Sequence, residues 1–387
     1  MNAVPEPIPA DGRVVVVGGG LAATRVISAL RRKKLTGPID LIAAERHLPY
    51  DRPPLSKGVL VGDKDATSLP FDPTKLEVST HLGRTATGID VTDRIVRTDQ
   101  GDVRYDGLVI ATGAEPITVP GNGRQLTLRT IDDALTLRKR LTPGARVVII
   151  GAGWIGAEVA TAATARGCSV TCIEFGQAPL ANALGIEVAD RLATWWSGVD
   201  LRCDTAVREV LDDGVVLTDG SLLPADVVVT GIGVRPAIGW LSGTGPSTDR
   251  GVLTDEFCRT DAPGIVAVGD VAQRWSPRAG RHVVTEHWDD AGGAAATAAA
   301  ALLGDASPYD PVPYFWSDQF GHKIQYVGSH GPDDTVAVTL SDHGVLDTVT
   351  WTSPDGALSA WLGVDRPRDL VPARMAVGRS AAEYASV

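Results

Sequence analysis

Two stretches of this chain repeat one pattern: a run of β-branched residues, a glycine-rich turn, a helical run, a second apolar strand and an acid at its end. In the first, Val14-Val15-Val16-Val17 meets Gly18-x-Gly20-x-x-Ala23, a helical pattern continues through Leu30, and the strand 39–42 ends near Glu45. In the second, the strand 147–150 meets Gly151-x-Gly153-x-x-Gly156, a helix follows, and the strand 169–173 closes at Glu174. An unbroken Val/Ile run suits a strand buried on both faces, as in a parallel sheet covered by helices. Two such βαβ units predict an α/β fold with two Rossmann-like domains.

The spacing has a chemical reading. Gly18 and Gly151 permit a tight turn, Gly20 and Gly153 let backbone approach a pyrophosphate, and Ala23 and Gly156 keep helix and strand close. The helix N-terminus attracts the anion. Glu45 and Glu174 stand where a carboxylate accepts hydrogen bonds from a ribose. One such turn alone is compatible with a loop that holds nothing; two, each with its acid, point to two dinucleotides. A carboxylate at 174 bonds a free 2′-hydroxyl and repels a 2′-phosphate, and Phe175-Gly176-Gln177 offers no arginine. NADH is therefore expected over NADPH. Gly269-Asp270, after the strand 265–268, could bring backbone and a carboxylate to a ribityl or ribose hydroxyl, or be an ordinary turn.

The rest of the chain sets bounds. Its 387 residues leave room for two or three domains. A formal charge of −11 argues for a soluble protein and against a nucleic-acid partner, though one basic patch could still serve a protein partner. The four cysteines, Cys168, Cys172, Cys203 and Cys258, contain no C-x-x-C pair, which fits a reducing compartment without disulfides. Residues 1–12 read as a short loose tail, not a signal peptide. The weakly polar stretch 291–304 is too short to span a bilayer, so a cytoplasmic protein without membrane attachment is expected. The histidines show no metal-ligand spacing, so no metal is expected.

Residues 47–58 read as a stiff Pro-rich loop. Thr130 before Ile131-Asp132-Asp133 reads as a capped helix start. An Ala-rich helix is expected from about 288 to 303, and the last ~75 residues read as short strands in a small antiparallel α+β domain.

The segments VVVVGGGLAA, LPYDRPPLSKG, VIATGAEP, LRTIDDA, VVIIGAGWIGAEVA, GIGVRP, GIVAVGDVA, TEHWDDA and FWSDQFGHKIQYVG span nearly the whole chain. Together they resemble the FAD-dependent ferredoxin reductases of cytochrome P450 and Rieske oxygenase systems, within the pyridine nucleotide–disulfide oxidoreductase superfamily. The resemblance implies an FAD-binding domain over 1–117 and 247–312, an NAD-binding domain over 118–246, and a C-terminal α+β domain over 313–387. It implies that Arg52 and Lys57 lie beside the FAD, with Lys57 near the flavin ring and Glu158 paired to it near the nicotinamide. These two are the expected catalytic pair; without the family, Lys57 reads as a surface lysine.

The cofactor-binding positions expected on the same grounds are Gly18, Gly20, Leu21, Ala22, Ala23, Glu45, Arg52, Lys57, Ala111, Thr112, Gly113, Arg129, Gly151, Gly153, Trp154, Ile155, Gly156, Glu158, Glu174, Gly231, Ile232, Gly233, Gly269, Asp270, Glu286, His287, Trp288 and Trp316. A helix starting after His287 could steady negative charge on reduced flavin, worth up to about 2 kcal/mol, or be an ordinary small-residue helix in an interface.

Disulfide reductases of this superfamily carry a cysteine pair soon after the first βαβ unit, and here no cysteine precedes Cys168. Electrons would leave from the flavin itself, and Cys168 and Cys172 read as small buried residues. The resemblance thus implies hydride transfer from NADH to FAD, then single electrons to a small acidic 2Fe–2S ferredoxin serving an oxygenase, in a monomer or homodimer. Arg274, Arg278 and Arg281 are candidates for the patch that meets it, or scattered solvated arginines. Two readings stay open beside this one: an NADH-dependent flavoenzyme acting directly on a small molecule or oxygen, and a non-catalytic FAD/NADH redox-responsive binding protein.

Overall fold

The computed structural model describes residues 7–243 and 245–379. The chain divides into two compact units, one of Met1–Asp51, Ser68–Glu115 and Arg235–Pro311, the other of Arg52–Thr67, Pro116–Val234 and Val312–Val387. Residues 52–67, which the sequence reading assigns to the first domain, group by contacts with the second unit.

The first unit is built on a five-stranded parallel sheet in the order Ile265–Ala267, Gly107–Ile110, Val14–Val17, Ile39–Ala43, Val78–Leu82. Alternation explains the four consecutive valines. Val14 and Val16 enter a core with Val26, Ile27 and Leu30 of the helix Leu21–Arg32. Val15 and Val17 enter another with Ile89 and Val96 of a three-stranded antiparallel sheet. A strand with helices on one side and a second sheet on the other has no face for polar residues. The exception is Asp40, buried in the neighbouring strand and held by the Arg13 guanidinium at 2.6 Å and by His81 Nε2 at 2.9 Å. Buried carboxylates persist when so partnered.

The expected helix over 288–303 is two, Trp288–Gly293 and Ala295–Leu302. Gly292-Gly293 gives the junction low helix propensity. At Gly293 a Cβ would meet the Tyr309 hydroxyl at 2.2 Å, so the ring packs where a side chain would stand. The tail is not loose where it is described: Ile8 is buried in the core and its N–H donates to the Leu302 carbonyl at 2.9 Å. Residues 1–6 of that tail lie outside the described residues.

The second unit carries a four-stranded parallel sheet in the order Asp200–Arg202, Ser169–Ile173, Arg146–Ile150, Val227–Thr230. The helix Trp154–Ala165 packs on it, and the helix Ile131–Arg140 starts with a complete capping box between Thr130 and Asp133. The Pro-rich stretch 47–58 is more regular than a loop. Pro53–Ser56 forms a 3-10 turn and Gly58–Val61 a short helix, because proline suits a first helical turn, where its missing N–H leaves nothing unbonded.

A five-stranded antiparallel sheet ends this unit, in the order Tyr314–Gln319, His322–Gly328, Leu358–Val364, Leu346–Thr352, Thr335–Leu340. Trp351 and Trp361 are fully buried in it. Trp196 packs on Phe320 and Trp195 stacks on His322, tying residues 194–196 to this sheet.

Arg274 and Asp290 form a doubly hydrogen-bonded ion pair in the first unit, at 2.9 and 3.2 Å, both side chains under a tenth exposed, with Arg274 also over the Tyr309 ring. Asp290→Ala leaves a buried guanidinium unpaired and is expected to cost about 3–5 kcal/mol, whereas the double change Arg274→Met, Asp290→Leu costs much less. Denaturant midpoints of the two variants check this; a single variant as stable as the double one contradicts it.

Candidate functional site

Rossmann-type sites form where parallel strands end, and each unit gathers expected residues at such an edge. In the first unit the strands Val14–Val17, Gly107–Ile110 and Ile265–Ala267 run into Gly18, Ala111-Thr112-Gly113 and Gly269-Asp270. In the second, Arg146–Ile150, Ser169–Ile173 and Val227–Thr230 run into Gly151, Glu174 and Gly231-Ile232-Gly233.

The glycines separate what the protein requires from what a ligand requires. A Cβ on Gly18 would meet the Ala111 carbonyl oxygen at 2.0 Å, and Gly18 has a φ of +119°. A Cβ on Gly151 would meet the Gly231 oxygen at 2.6 Å, and one on Gly156 the Gly151 oxygen at 1.9 Å. Packing within the protein accounts for these three. It does not account for Gly20, whose backbone is extended (φ −99°, ψ −172°) and whose Cβ would meet nothing within 4 Å. Nor does it account for Gly153 (φ −77°, ψ −168°), where the nearest atom lies at 4.0 Å. Both stand immediately before the first turn of a twelve-residue helix, with no side-chain cap. A helix N-terminus, whose N–H groups lack intrahelical partners, preceded by a glycine whose side-chain space is clear, fits a pyrophosphate. These residues thus fit FAD and NAD(H) as the sequence assigns them.

The acids are held in place. Glu174 accepts hydrogen bonds from the N–H groups of Ala152 and Gly176, both at 2.7 Å, one to each carboxylate oxygen. Each oxygen retains a lone pair for a ribose hydroxyl. Glu45 accepts from the Tyr50 hydroxyl at 2.5 Å. Thr112 donates to the Ala237 carbonyl at 2.9 Å, and Trp288 Nε1 to Asp51 at 2.7 Å. Burial pushes the His287 imidazole down toward its neutral form, against the pull of Asp290, Asp270 and Asp289.

In the second unit, Arg52 donates to the Arg129 carbonyl at 2.6 Å, joining two of the expected positions. Trp154 packs edge-on against Phe315 at 4.7 Å between ring centres, and Trp316 lies over Tyr314. Ile155, in the first turn of the helix Trp154–Ala165, and Ile232, in the turn after Val227–Thr230, are exposed large apolar side chains. Leu21, Ala22 and Ala23 are buried in the opening turn of their helix.

Lys57 and Glu158 meet at 2.8 Å, with Glu158 buried. Sequence reasoning missed what surrounds them. Glu158 Oε2 also accepts from the Ser56 hydroxyl; Oε1 accepts from the Ser317 hydroxyl at 2.5 Å and the Asp318 N–H at 3.2 Å. The available signal was polar residues inside otherwise conspicuous segments, LSKG and FWSDQ. Those segments attract attention for their lysine and tryptophan.

Two expectations need correction. Arg274 is buried in its pair with Asp290 and belongs to no surface patch; Arg278 and Arg281 are exposed. Cys168 is half-exposed, whereas Cys172 is buried and its thiol is pushed well up, chiefly by burial. All four cysteines are free, and no cluster of metal-binding side chains occurs among the described residues.

A family model described as pyridine nucleotide-disulphide oxidoreductase matches residues 12–297, and one described as reductase C-terminal matches 314–386. The chain is 37% identical over 384 residues to the ferredoxin–NAD(+) reductase component of the anthranilate 1,2-dioxygenase system of Burkholderia cepacia, covering 95% of this chain and 94% of the relative. The crystal structure of Fdr9 superposes with a TM-score of 0.92 at 54% identity, over 95% of this chain and 94% of that one. The reductase in the covalent putidaredoxin reductase–putidaredoxin complex superposes at 0.88 and 30% identity, over 95% and 93%.

The glycine geometry makes a prediction. Gly20→Ala or Gly153→Ala should cost under about 1 kcal/mol of stability, the scale of an altered N-cap. Yet Gly20→Ala should lower FAD retention, and Gly153→Ala NADH affinity, by about tenfold or more. Flavin content, NADH titration and melting temperature check it; unchanged ligand binding in both variants refutes the cradle.

Proposed function

Because the chain belongs to the pyridine nucleotide-disulphide oxidoreductase family, among its ferredoxin reductases, we propose that it takes reducing equivalents from NADH through FAD to a small acidic 2Fe–2S ferredoxin that serves an oxygenase. The observation that carries the nucleotide half is the pair of glycines, Gly20 and Gly153, that packing within the protein does not explain. The carrier half rests on the relatives, which are named as ferredoxin reductase components of oxygenase systems. When bound, FAD accepts a hydride from NADH and releases it as two single electrons and a proton, matching a two-electron donor to a one-electron carrier.

The protein's part is to bind, orient and keep charge in place. Gly18, Gly20 and the first turn of Leu21–Arg32 hold the FAD pyrophosphate, with Glu45 and Asp270 for sugar and ribityl hydroxyls. Gly151, Gly153 and the first turn of Trp154–Ala165 hold that of NADH, with Glu174 choosing a free 2′-hydroxyl. Lys57, held by Glu158, would supply positive charge to a ring that gains negative charge on reduction. No cysteine precedes Cys168, so no thiol stands where disulfide reductases of the family carry theirs. The free thiols, and the absence among the described residues of a helix long and apolar enough to cross a membrane, accord with a cytoplasmic protein.

The test is direct. The purified flavoprotein, reduced anaerobically with NADH, is offered a 2Fe–2S ferredoxin, cytochrome c or oxygen. Fast transfer to the ferredoxin alone is expected; indifference to ferredoxin with turnover of oxygen or a small molecule overturns the proposal. Glu174→Ala should reduce the NADH-over-NADPH preference by about tenfold, read as the ratio of kcat/KM values. An unchanged ratio assigns the selectivity elsewhere.

A further inference from the structure

The Glu158 carboxylate has four hydrogen-bond acceptor sites, two on each oxygen, and the structure fills all four. Oε2 takes the Ser56 hydroxyl and the Lys57 ammonium; Oε1 takes the Ser317 hydroxyl and the Asp318 N–H. A carboxylate saturated by the protein is poorly placed to bond a nicotinamide directly. It is well placed to hold Lys57.

Behind Ser317 stands Gln319, which donates from Nε2 to the Ser317 oxygen at 3.0 Å. Ser317 and Gln319 are among the most deeply buried polar residues of the protein, at 1% and 2% exposure. The order of protons in this chain is forced. A carboxylate only accepts, so the Ser317 hydroxyl donates to Glu158 Oε1; the Ser317 oxygen in turn accepts the Gln319 amide N–H. Both residues lie on the strand Tyr314–Gln319, and one turn along the helix Trp154–Ala165 the Phe320 N–H donates to Thr161 at 2.9 Å. The strand is thus pinned to the helix at residues 158 and 161, and its side chains orient the carboxylate that holds Lys57.

We propose that Ser317 and Gln319 are positioning residues for Lys57, acting through Glu158, so that the C-terminal sheet sets the geometry of the charged pair. The inference deepens the function proposed above and rests on it only for the meaning of Lys57 in hydride transfer. The hydrogen-bond chain itself is independent of any acceptor.

The test uses the holoprotein with Ser317→Ala, Ser317→Thr and Gln319→Met. Lys57 is acetylated with acetic anhydride without NADH or ferredoxin, its rate is read by mass spectrometry, and exposed Lys139 in the same digest serves as reference. NADH affinity and the rate of flavin reduction are measured by stopped flow. In Ser317→Ala the Lys57/Lys139 labelling ratio should rise about threefold or more, as expected when a charge-assisted bond is lost. Flavin reduction should slow about tenfold, with NADH affinity within about twofold of wild type.

Ser317→Thr, which keeps the donor, should return both toward wild type, and Gln319→Met should shift both in the Ser317→Ala direction by less. Should Ser317→Ala fail to fold, Gln319→Met decides. Unchanged Lys57 labelling in the folded variants overturns the inference, as does equal loss in Ser317→Ala and Ser317→Thr. A wild-type protein that reduces no ferredoxin strikes the function proposed above, while the labelling ratio still decides this one.

Discussion

Where the strand Val14–Val17 ends, the chain turns into a helix through a gap that the adjacent strand leaves almost closed. Gly18 lies so near the Ala111 carbonyl that a side chain there would overlap it, and its φ of +119° belongs to glycine. That closeness sets the first turn of Leu21–Arg32, whose N–H groups lack intrahelical partners, at the point where three strands end. The same construction recurs at Gly151, where the neighbouring Gly231 carbonyl closes the gap. The third position differs, Ala23 in one unit and Gly156 in the other. The Gly156 position lies against the Gly151 carbonyl, where a methyl group finds no room.

Charge inside each unit follows one rule. Asp40 sits between Arg13 and His81, Arg274 lies on Asp290, and Glu158 takes four donors. Buried carboxylates are costly unless partnered, and well-packed apolar residues of similar volume often serve stability as well as such a pair. Glu158 is the most fully partnered of these, with donors from two separated segments: Ser56 and Lys57 on one side, and Ser317 and Asp318 on the other. A single carboxylate joins a Pro-rich turn, the helix Trp154–Ala165 and an antiparallel sheet. The cysteines follow the opposite rule: burial, more than any neighbouring charge, raises the Cys258 thiol to about 12 and raises Cys172 further, so these are packing residues that stay protonated.

The parallel sheets were legible because two-sided burial writes itself into sequence as runs such as Val14–Val17. The capped helix was legible from Thr130 and Asp133, a local pattern confirmed by the capping box. The C-terminal sheet was legible as strands and turns but not as an order of strands, since its pairing brings together residues distant in sequence. Other features were misread for identifiable reasons. Proline suggested a loop at 47–58, where it starts a helical turn. Alanine content suggested one helix near 288–303, where Tyr309 packs against Gly293 at the break. Charge suggested a solvated Arg274, in a partner patch or scattered on the surface, whereas it is buried against Asp290.

The sequence by itself determined the two strand–turn–helix cradles, their acids and the absence of an early cysteine. These depend on backbone geometry and residue chemistry within about thirty neighbouring positions, the span of a βαβ unit. Tertiary structure alone decided which glycines the protein needs for its own packing, and that Glu158 is saturated by Ser56, Lys57, Ser317 and Asp318. The physical reason is reach. A hydrogen bond between residues 158 and 317 leaves no periodic trace in either segment, because it exists only once the helix and the strand have been packed together.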